Sequence, residues 1–246
     1  MTPSGERYAI SDLRDYCYCP LYYRFLRESP AGGGPAEVER LHLDCIRRTA
    51  YFILYASQNG GFPNRFAVKQ DYGRLLKAVF GRRLKGLAAS TVTRGLEQCL
   101  ALHDYLKRRS AAPVLIARKY ALEAGGALVE GTMDAVLEDG GRLELLMLEG
   151  AALYDRAVMS CDIEVVAASV ACRRLLARPL EVVTVYRIQS GTAQRAQIGN
   201  CDVKMAAAII EAVVTAIRQR IYYPSAGREC RSCRFSVLCS SGKWLV

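Results

Sequence analysis

The chain has 246 residues, of which 51% are hydrophobic and 24% charged, and its formal net charge is +10, with 34 Lys and Arg against 24 Asp and Glu. This composition excludes a disordered chain, a collagen-like repeat and a small disulfide scaffold, and the length allows one large domain or two small ones. The absence of a long uncharged apolar run and of a signal peptide predicts a cytoplasmic protein without a membrane partner. The basic excess favours a polyanionic partner, most often nucleic acid.

The N-terminal half of the chain is predicted to be mainly helical. A short helical segment within residues 1–30 is interrupted at Pro20, and a glycine-rich break over residues 31–35 follows it. A long helix is predicted from Ala36, where apolar residues recur with helical spacing. Residues 71–110 are rich in Arg and Leu and predict one or two further helices.

From Pro113 onwards the hydrophobic pattern changes to a β type. Three apolar runs are separated by Gly125-Gly126 and Asp139-Gly140-Gly141, and Asp-Gly-Gly between apolar runs favours a hairpin. The elements predicted after this meander are a helix over residues 161–177, a strand ending at Ser190-Gly191 and an amphipathic helix over residues 203–222. This order predicts an α/β protein with a mixed sheet flanked by helices.

Three cysteines near the carboxyl end are spaced like a chelating loop. Cys230, Cys233 and Cys239 form a C-x2-C-x5-C pattern. A tetrahedral metal ion or an iron–sulfur cubane takes four thiolates, so one ligand must come from elsewhere, and Cys19 is the best candidate. Zinc and an iron–sulfur cluster both accept four cysteines, and the spacing does not separate them. Ordinary buried thiols, or disulfides, are the alternative interpretation.

The remaining cysteines are predicted to have a different role. They are scattered over apolar faces, where a free thiol packs like a small hydrophobic side chain. These expected core residues are Cys45, Cys99, Cys161, Cys172 and Cys201. The pattern leaves the role of Cys17 open.

The region around Cys19 resembles a known family. Leu13-x-x-Tyr16-x-x-Cys19-Pro20, followed by Tyr22-Tyr23 and combined with the terminal cysteine triplet, resembles the RecB-like nucleases that carry an iron–sulfur clasp. The most similar branch is the CRISPR-associated exonuclease family of spacer acquisition, and the resemblance spans nearly the whole chain. It implies a RecB-like nuclease core and a 4Fe–4S cluster, whose ligands would be Cys19, Cys230, Cys233 and Cys239.

The resemblance also implies a division of the chain into four parts. They are an N-terminal segment that supplies one cluster cysteine (1–30), a helical region (31–112), the nuclease core (113–222) and a C-terminal cysteine cluster segment (223–246). A cluster held in this way would join positions about 210 residues apart, a large constraint on the unfolded chain. Its first role would be structural.

The same superfamily has a metal-dependent nuclease site of the PD-(D/E)xK type. The resemblance assigns its helix histidine to His42, its strand aspartate to Asp134 and its next acidic residue to Glu149. Asp134 and Glu149 would hold Mg²⁺ or Mn²⁺, which lowers the pKa of a bound water and stabilises charge on the scissile phosphate. From the residues alone, His42 equally fits a core histidine. Asp134 stands between apolar residues of a predicted strand, which favours a metal ligand over the alternative, a carboxylate at the edge of a hairpin.

The strand that carries Glu149 departs from this motif. With Glu149 as the acid, Ala151 stands where lysine is expected; with Glu149 in the lysine position, Met147 replaces the acid. Lys119 on an earlier strand is a remote alternative cation, and Glu144 is expected to face solvent. The following helix also lacks the family's Gln-x-x-x-Tyr pattern. Loss of the positioned cation predicts that nuclease activity is weak or absent.

Basic and aromatic residues indicate surfaces for DNA. The basic clusters are Arg82-Arg83-Lys85, Lys107-Arg108-Arg109, Arg173-Arg174 and Arg218 with Arg220, and the aromatic residues are Tyr22, Tyr23, Tyr222 and Tyr223. Solvated helix faces and ring packing around a cluster are the alternatives. The resemblance implies binding of single-stranded DNA ends or overhangs in company with the CRISPR integrase complex. A non-catalytic iron–sulfur scaffold or interaction subunit of another nucleic-acid assembly is the second hypothesis, and a zinc-ribbon nucleic-acid binder is the third.

Overall fold

A computed structural model describes residues 5–29, 35–81, 87–149, 162–198, 200–227, 230–231 and 233–239, and it contains the predicted helices and strands together with two further strands. The helices in these ranges are α1 (Ile10–Tyr18), α2 (Pro20–Glu28), α3 (Pro35–Gln58), α4 (Arg65–Phe80), α5 (Ala89–Lys107), α6 (Ile163–Leu176) and α7 (Asn200–Arg218). The strands are β1 (Arg7–Ala9), β2 (Ala112–Ala124), β3 (Ala127–Asp139), β4 (Arg142–Glu149), β5 (Val182–Arg187) and β6 (Thr192–Gln197).

The six described strands form one mixed sheet that forks along β3. β2 pairs with β3 in antiparallel fashion along nearly its whole length. On its other side, β3 pairs first with β1, in parallel through residues 128–130, and then with β4, in antiparallel fashion through residues 135–139. β4 continues in parallel with β5, which pairs with β6. Asp134 therefore lies in the fork, where the neighbour of β3 changes from β1 to β4.

Two apolar cores cover the two faces of the sheet. Side chains alternate between the faces along a strand, so Leu145 and Met147 of β4 enter one core and Leu146 and Leu148 enter the other. The first core contains α1, α2, α6 and α7, and the second contains α3, α4 and α5. The N-terminal helices thus pack directly on the sheet that carries Asp134.

The structure confirms the predicted hairpins and helix break. Gly125 and Gly126, with φ of 56° and 77°, form the turn between β2 and β3, because glycine adopts this left-handed region without steric cost. The turn between β3 and β4 falls at Gly140-Gly141, and the break at Pro20 separates α1 from α2. The mixed α/β sheet with flanking helices agrees with the predicted fold class.

Two strands differ from the prediction. No strand was predicted before Pro113, but Arg7–Ala9 form β1, which is held by its pairing with β3. β6 is a second strand without an apolar signal, since its residues are mostly exposed and it pairs only at the sheet edge. The last long helix spans Asn200–Arg218 rather than residues 203–222. In the described part of the chain, every helix is too short or too polar to cross a bilayer.

Candidate functional site

A cavity of about 270 Å³ lies where the N-terminal helices meet the segment that follows α7. All four cysteines that the resemblance assigns to a cluster line this cavity, namely Cys19, Cys230, Cys233 and Cys239. Its other lining residues are Tyr18, Leu21, Tyr22, Phe25, Pro224, Ser225, Ala226, Gly227, Phe235 and Ser236. Thiols from distant parts of the sequence therefore share one space.

Cys19 reaches the cavity because it ends α1 and caps α2. Pro20 occupies the first turn of α2, where a missing N–H is tolerated. The Cys19 Sγ accepts hydrogen bonds from the backbone N–H of Tyr22 and of Ser225, each at 3.4 Å. Amide donors of this kind support the thiolate ligands of iron–sulfur clusters and tune their potentials.

Hydrogen bonds outside the cavity hold the two segments together. The Tyr16 hydroxyl donates to the Ile221 carbonyl at 2.6 Å, and the Leu21 N–H donates to the Tyr223 carbonyl at 3.2 Å. The Tyr16 side chain is buried, so its hydrogen bond is shielded from competing water. Contacts that do not involve the cysteines thus also fix the N-terminal helices relative to the C-terminal segment.

The C-terminal cysteine segment is anchored by one aromatic side chain. Phe235 is buried, and its ring centroid lies 5.4 Å from that of Tyr22 and 5.3 Å from that of Phe25. The backbone around it folds into successive tight turns, one of which joins the Cys233 N–H to the Cys230 carbonyl at 3.3 Å. These turns aim thiols that are close in sequence into one cavity.

Among the described residues, no three His, Cys, Asp or Glu side chains are grouped closely enough to hold a metal ion. The four cysteines line the cavity without forming such a group. The Gly227 N–H also donates to Cys230 Sγ at 3.4 Å, which adds a third amide donor to the cysteine sulfurs.

The cysteines outside the cavity fall into two groups. Cys45, Cys99 and Cys172 are buried, and burial raises their pKa to about 11, 12 and 11, which keeps them as thiols. They pack in the core, as predicted. Cys17 is exposed and is not among the cavity residues. Cys161 and the side chain of Cys201 lie outside the described residues.

Asp134 is held by α3 and β4. Its Oδ1 accepts a hydrogen bond from the Tyr51 hydroxyl at 2.5 Å and lies 3.4 Å from Nε of Arg47. Its Oδ2 accepts the N–H of Leu148 at 2.8 Å, which joins the two strands across the fork. Burial raises the pKa of the Asp134 carboxyl, and the charge of Arg47 and both hydrogen bonds oppose that rise. Tyr51 and Arg47 were not among the predicted site residues.

His42 lies in a different part of α3 and contacts other partners. Its Nε2 is 2.6 Å from the Tyr72 hydroxyl of α4, and burial lowers the pKa of the imidazole. Tyr51 follows nine positions later, which at about 3.6 residues per turn places it on the opposite side of the helix. His42 therefore packs among α3, α4 and α5, while Asp134 is contacted from the other side of α3.

The packing of His42 gives a direct test of its structural role. A Cβ at Gly95 of α5 would clash with the Tyr72 hydroxyl and the His42 ring. Because this contact is buried, Gly95→Ala is expected to lower the free energy of unfolding by about 1–3 kcal/mol, as measured by urea denaturation. The control is Gly73→Ala in α4, where the added methyl meets nothing within 4 Å and is expected to stabilise by about 0.5–1 kcal/mol. Equal effects of the two substitutions would contradict a tightly packed His42.

The remaining nuclease-type positions are only partly described. The backbone of Glu149 pairs with Arg187 of β5, while its side chain and Ala151 lie outside the described residues. Met147 is buried in the first core, and Lys119 is exposed on β2 opposite Thr132.

One acidic residue that interacts with Asp134 was not among the predicted site residues. Glu164 of α6 is largely buried and forms an ion pair with Arg14 at 3.1 Å. Burial raises its pKa; Arg14 and Arg47 lower it, and Asp134 raises it, so these groups interact electrostatically.

Glu144 was expected to face solvent, and this expectation is wrong. It is only 1% exposed, and its carboxylate accepts a hydrogen bond from each terminal nitrogen of Arg109, both at 2.6 Å. Arg195 donates to the same carboxylate at 3.0 Å. Arg109 is thus committed to a buried ion pair rather than to a DNA surface, because partners distant in sequence neutralise Glu144 inside the fold.

The other predicted DNA-contacting residues have mixed positions. Tyr23 is buried at 4% exposure, whereas Tyr223 is 56% exposed. Tyr22 and Tyr222 are half-buried. Arg218 donates to the Gly125 carbonyl and pairs with Glu6. Arg173 and Arg174 are exposed at the end of α6, and the cluster at residues 82–85 lies outside the described residues.

Comparisons with known proteins give similar solved structures, each of low sequence identity. No family model and no curated protein sequence matches the chain. The crystal structure of SSO0001 has 14% sequence identity and a TM-score of 0.41, covering 96% of this chain and 86% of that one. A protein from Eubacterium rectale described as a candidate exonuclease has 12% identity and a TM-score of 0.49, covering 93% of this chain and 87% of that one.

Proposed function

We propose that this chain is a DNA-binding, RecB-like iron–sulfur protein of CRISPR spacer acquisition, which binds the single-stranded ends or overhangs of prespacer DNA and has little or no nuclease activity. The observation that carries the proposal is the cavity lined by Cys19, Cys230, Cys233 and Cys239. These thiols come from the positions at which the family resemblance places the cluster ligands. Cooperation with the integrase complex follows from the same resemblance.

The residues around the cavity are suited to hold a 4Fe–4S cluster. The four cysteines would supply soft thiolate ligands, and three backbone amides donate to their sulfurs. A bound cluster would join the junction of α1 and α2 to the segment after α7. This cross-link would stabilise the fold, because it removes freedom mainly from the unfolded chain.

Positive groups lie over aromatic rings in the two segments that form the cavity, and they support a DNA partner. The Arg234 guanidinium lies over the Phe235 ring, 4.7 Å from its centroid. Arg24 lies over the Tyr222 ring, and Arg27 lies over the Tyr23 ring. Side chains of Arg24 and Arg27 are about half exposed. Guanidinium groups bind phosphate, and an exposed ring such as Tyr223 stacks on a base. Together with the net charge of +10, this arrangement favours nucleic acid.

The surroundings of Asp134 support the loss of nuclease activity. Both carboxylate oxygens already have partners, and the structure places the Arg47 guanidinium beside one of them. A divalent metal ion does not fit this arrangement without displacing protein groups. Full activity of the PD-(D/E)xK type would require such an ion and a positioned lysine.

The cluster proposal is tested by anaerobic purification of the full chain, with iron, acid-labile sulfide and zinc quantified. We expect a brown protein with iron and sulfide in equal amounts and with little zinc. A colourless protein that contains zinc and no sulfide would contradict the cluster and favour the zinc-binding hypothesis.

DNA binding is tested by fluorescence anisotropy with a single-stranded overhang and with a blunt duplex of the same length. The overhang is expected to bind more tightly, and the logarithm of its affinity should fall steeply with the logarithm of salt concentration, because phosphate contacts release counterions. A slope near zero would favour the non-catalytic scaffold instead.

The loss of nuclease activity is tested with end-labelled single-stranded DNA in Mg²⁺ and in Mn²⁺. We expect that the wild-type chain and the Asp134→Ala variant do not differ in cleavage, because Asp134 holds no metal ion. Manganese-dependent cleavage by the wild-type chain that is lost in this variant would restore the interpretation as an enzyme.

A further inference from the structure

The oxygen atoms around Asp134 are of the kind that hold a divalent cation, but a side chain of the protein contacts them. The Arg47 Nη2 donates to the Leu148 carbonyl at 2.7 Å, and its Nε lies 3.4 Å from Asp134 Oδ1. Mg²⁺ and Mn²⁺ prefer carboxylate and carbonyl oxygens as ligands. The guanidinium therefore bridges the two oxygens that an ion in this fork would coordinate.

The other contacts of Asp134 reinforce this arrangement. Tyr51 reaches Oδ1 from the next turn of α3, four positions after Arg47, so both side chains leave the same face of the helix. The Leu148 N–H donates a hydrogen bond to Asp134 Oδ2, and the Leu148 carbonyl accepts one from Arg47. A cation that bound here would have to break several of these hydrogen bonds.

Among the described side chains of this fork, the charges are also balanced without a metal ion. Asp134 faces Arg47, and Glu164 faces Arg14 at 3.1 Å. Arg47 and Asp134 both influence the pKa of Glu164, in opposite directions, so the four groups form one electrostatic cluster. Adding two positive charges beside a retained guanidinium would be strongly repulsive at these separations.

We infer that Arg47 takes the place of the divalent cation in this fork, so that the chain does not bind Mg²⁺ or Mn²⁺ at Asp134. The inference stands on the geometry of α3, β3 and β4. It requires neither an iron–sulfur cluster nor a DNA partner, and it deepens the proposed loss of nuclease activity, on which it rests. Ion binding and DNA cleavage are measured separately, so the two can fail separately.

Manganese binding measured by electron paramagnetic resonance tests this inference, because the signal of free Mn²⁺ falls when the ion binds. We expect no Asp134-dependent binding to the wild-type chain. Arg47→Met keeps the apolar stem of the side chain and removes the charge. This variant should gain one Mn²⁺ site per chain and bind Mn²⁺ at least about tenfold more tightly than the wild-type chain does. Arg47→Lys retains a positive charge and should remain like wild type. The gained site should disappear in the double variant with Asp134→Asn.

The matched control is Arg48→Met, the adjacent residue of α3, whose exposed guanidinium pairs with Asp44 at 2.9 Å. It should bind Mn²⁺ no better than the wild-type chain. Far-UV circular dichroism checks that each variant folds, and Arg47→Gln replaces Arg47→Met if the latter does not. Asp134-dependent binding by the wild-type chain, an equal gain in the Arg48 variant, or no gain in a folded Arg47 variant would overturn the inference.

Discussion

Replacing Cys19 with alanine is expected to abolish the brown colour, remove bound iron and sulfide, and lower the thermal stability of the chain. The thiol lines the cavity together with three cysteines from the C-terminal segment, so its loss would leave a proposed cluster without the ligand that joins the two segments. A cross-link that closes a loop of this length is worth on the order of 5 kcal/mol in the chain-entropy model. Iron and sulfide analysis and a thermal unfolding scan would measure both effects.

The matched control for this substitution is Cys17→Ala. Cys17 lies two positions earlier at the end of the same helix, is exposed, and does not line the cavity. It should retain iron, sulfide and colour. Retention of a full complement of iron and sulfide by the Cys19 variant would show that the cluster, if present, does not depend on this thiol.

Removing the carboxylate of Glu144 is expected to cost about 3–5 kcal/mol of unfolding free energy. Glu144→Ala would leave the Arg109 guanidinium, which is 16% exposed, without the carboxylate that binds both of its terminal nitrogens. Urea denaturation at neutral pH measures this loss. Glu130→Ala, which removes an exposed partner of Arg7, should change stability by less than about 1 kcal/mol.

The effect of Glu144 should also depend on pH. Burial acts to raise the pKa of Glu144, but the hydrogen bonds and charge of Arg109, with the charge of Arg195, outweigh it and hold the pKa below its ordinary value of 4.5. The ionised pair therefore stabilises the fold above pH 4.5, and this contribution is lost as the pH falls through the folded-state pKa. The stability difference between the wild-type chain and Glu144→Gln should shrink on acidification. A difference that grows instead would contradict the lowered pKa.

Local sequence signals predicted the hairpins and most helices because the physical cause of each lies within a few residues. Gly125 and Gly126 mark a turn since the turn itself requires positive φ. Pro20 marks the helix break because a proline is tolerated in the first turn of a helix and not in its interior. β1 and β6 gave no such signal, since a three-residue strand and a polar edge strand exist only through their neighbours.

The surroundings of the candidate site were harder to predict because its contacts are distant in sequence. Glu144 precedes the acid position of the motif and was predicted to face solvent, yet Arg109 and Arg195 approach it from other elements. Arg47 and Tyr51 carried a usable signal, a polar pair four positions apart on α3. Only the packing of α3 on the forked sheet shows that this pair faces Asp134.

The cavity combines Cys19 with three cysteines that are synthesised near the end of the chain, and this sets an order of events during synthesis. A ribosome that adds about 5–20 residues per second needs on the order of 10–40 s to travel from the first of these positions to the last. During that interval the Cys19 thiol has none of its three counterparts from the C-terminal segment. If the proposed cluster is bound through all four thiols, its insertion would therefore follow synthesis of the C-terminal segment, and the N-terminal helices would fold before it.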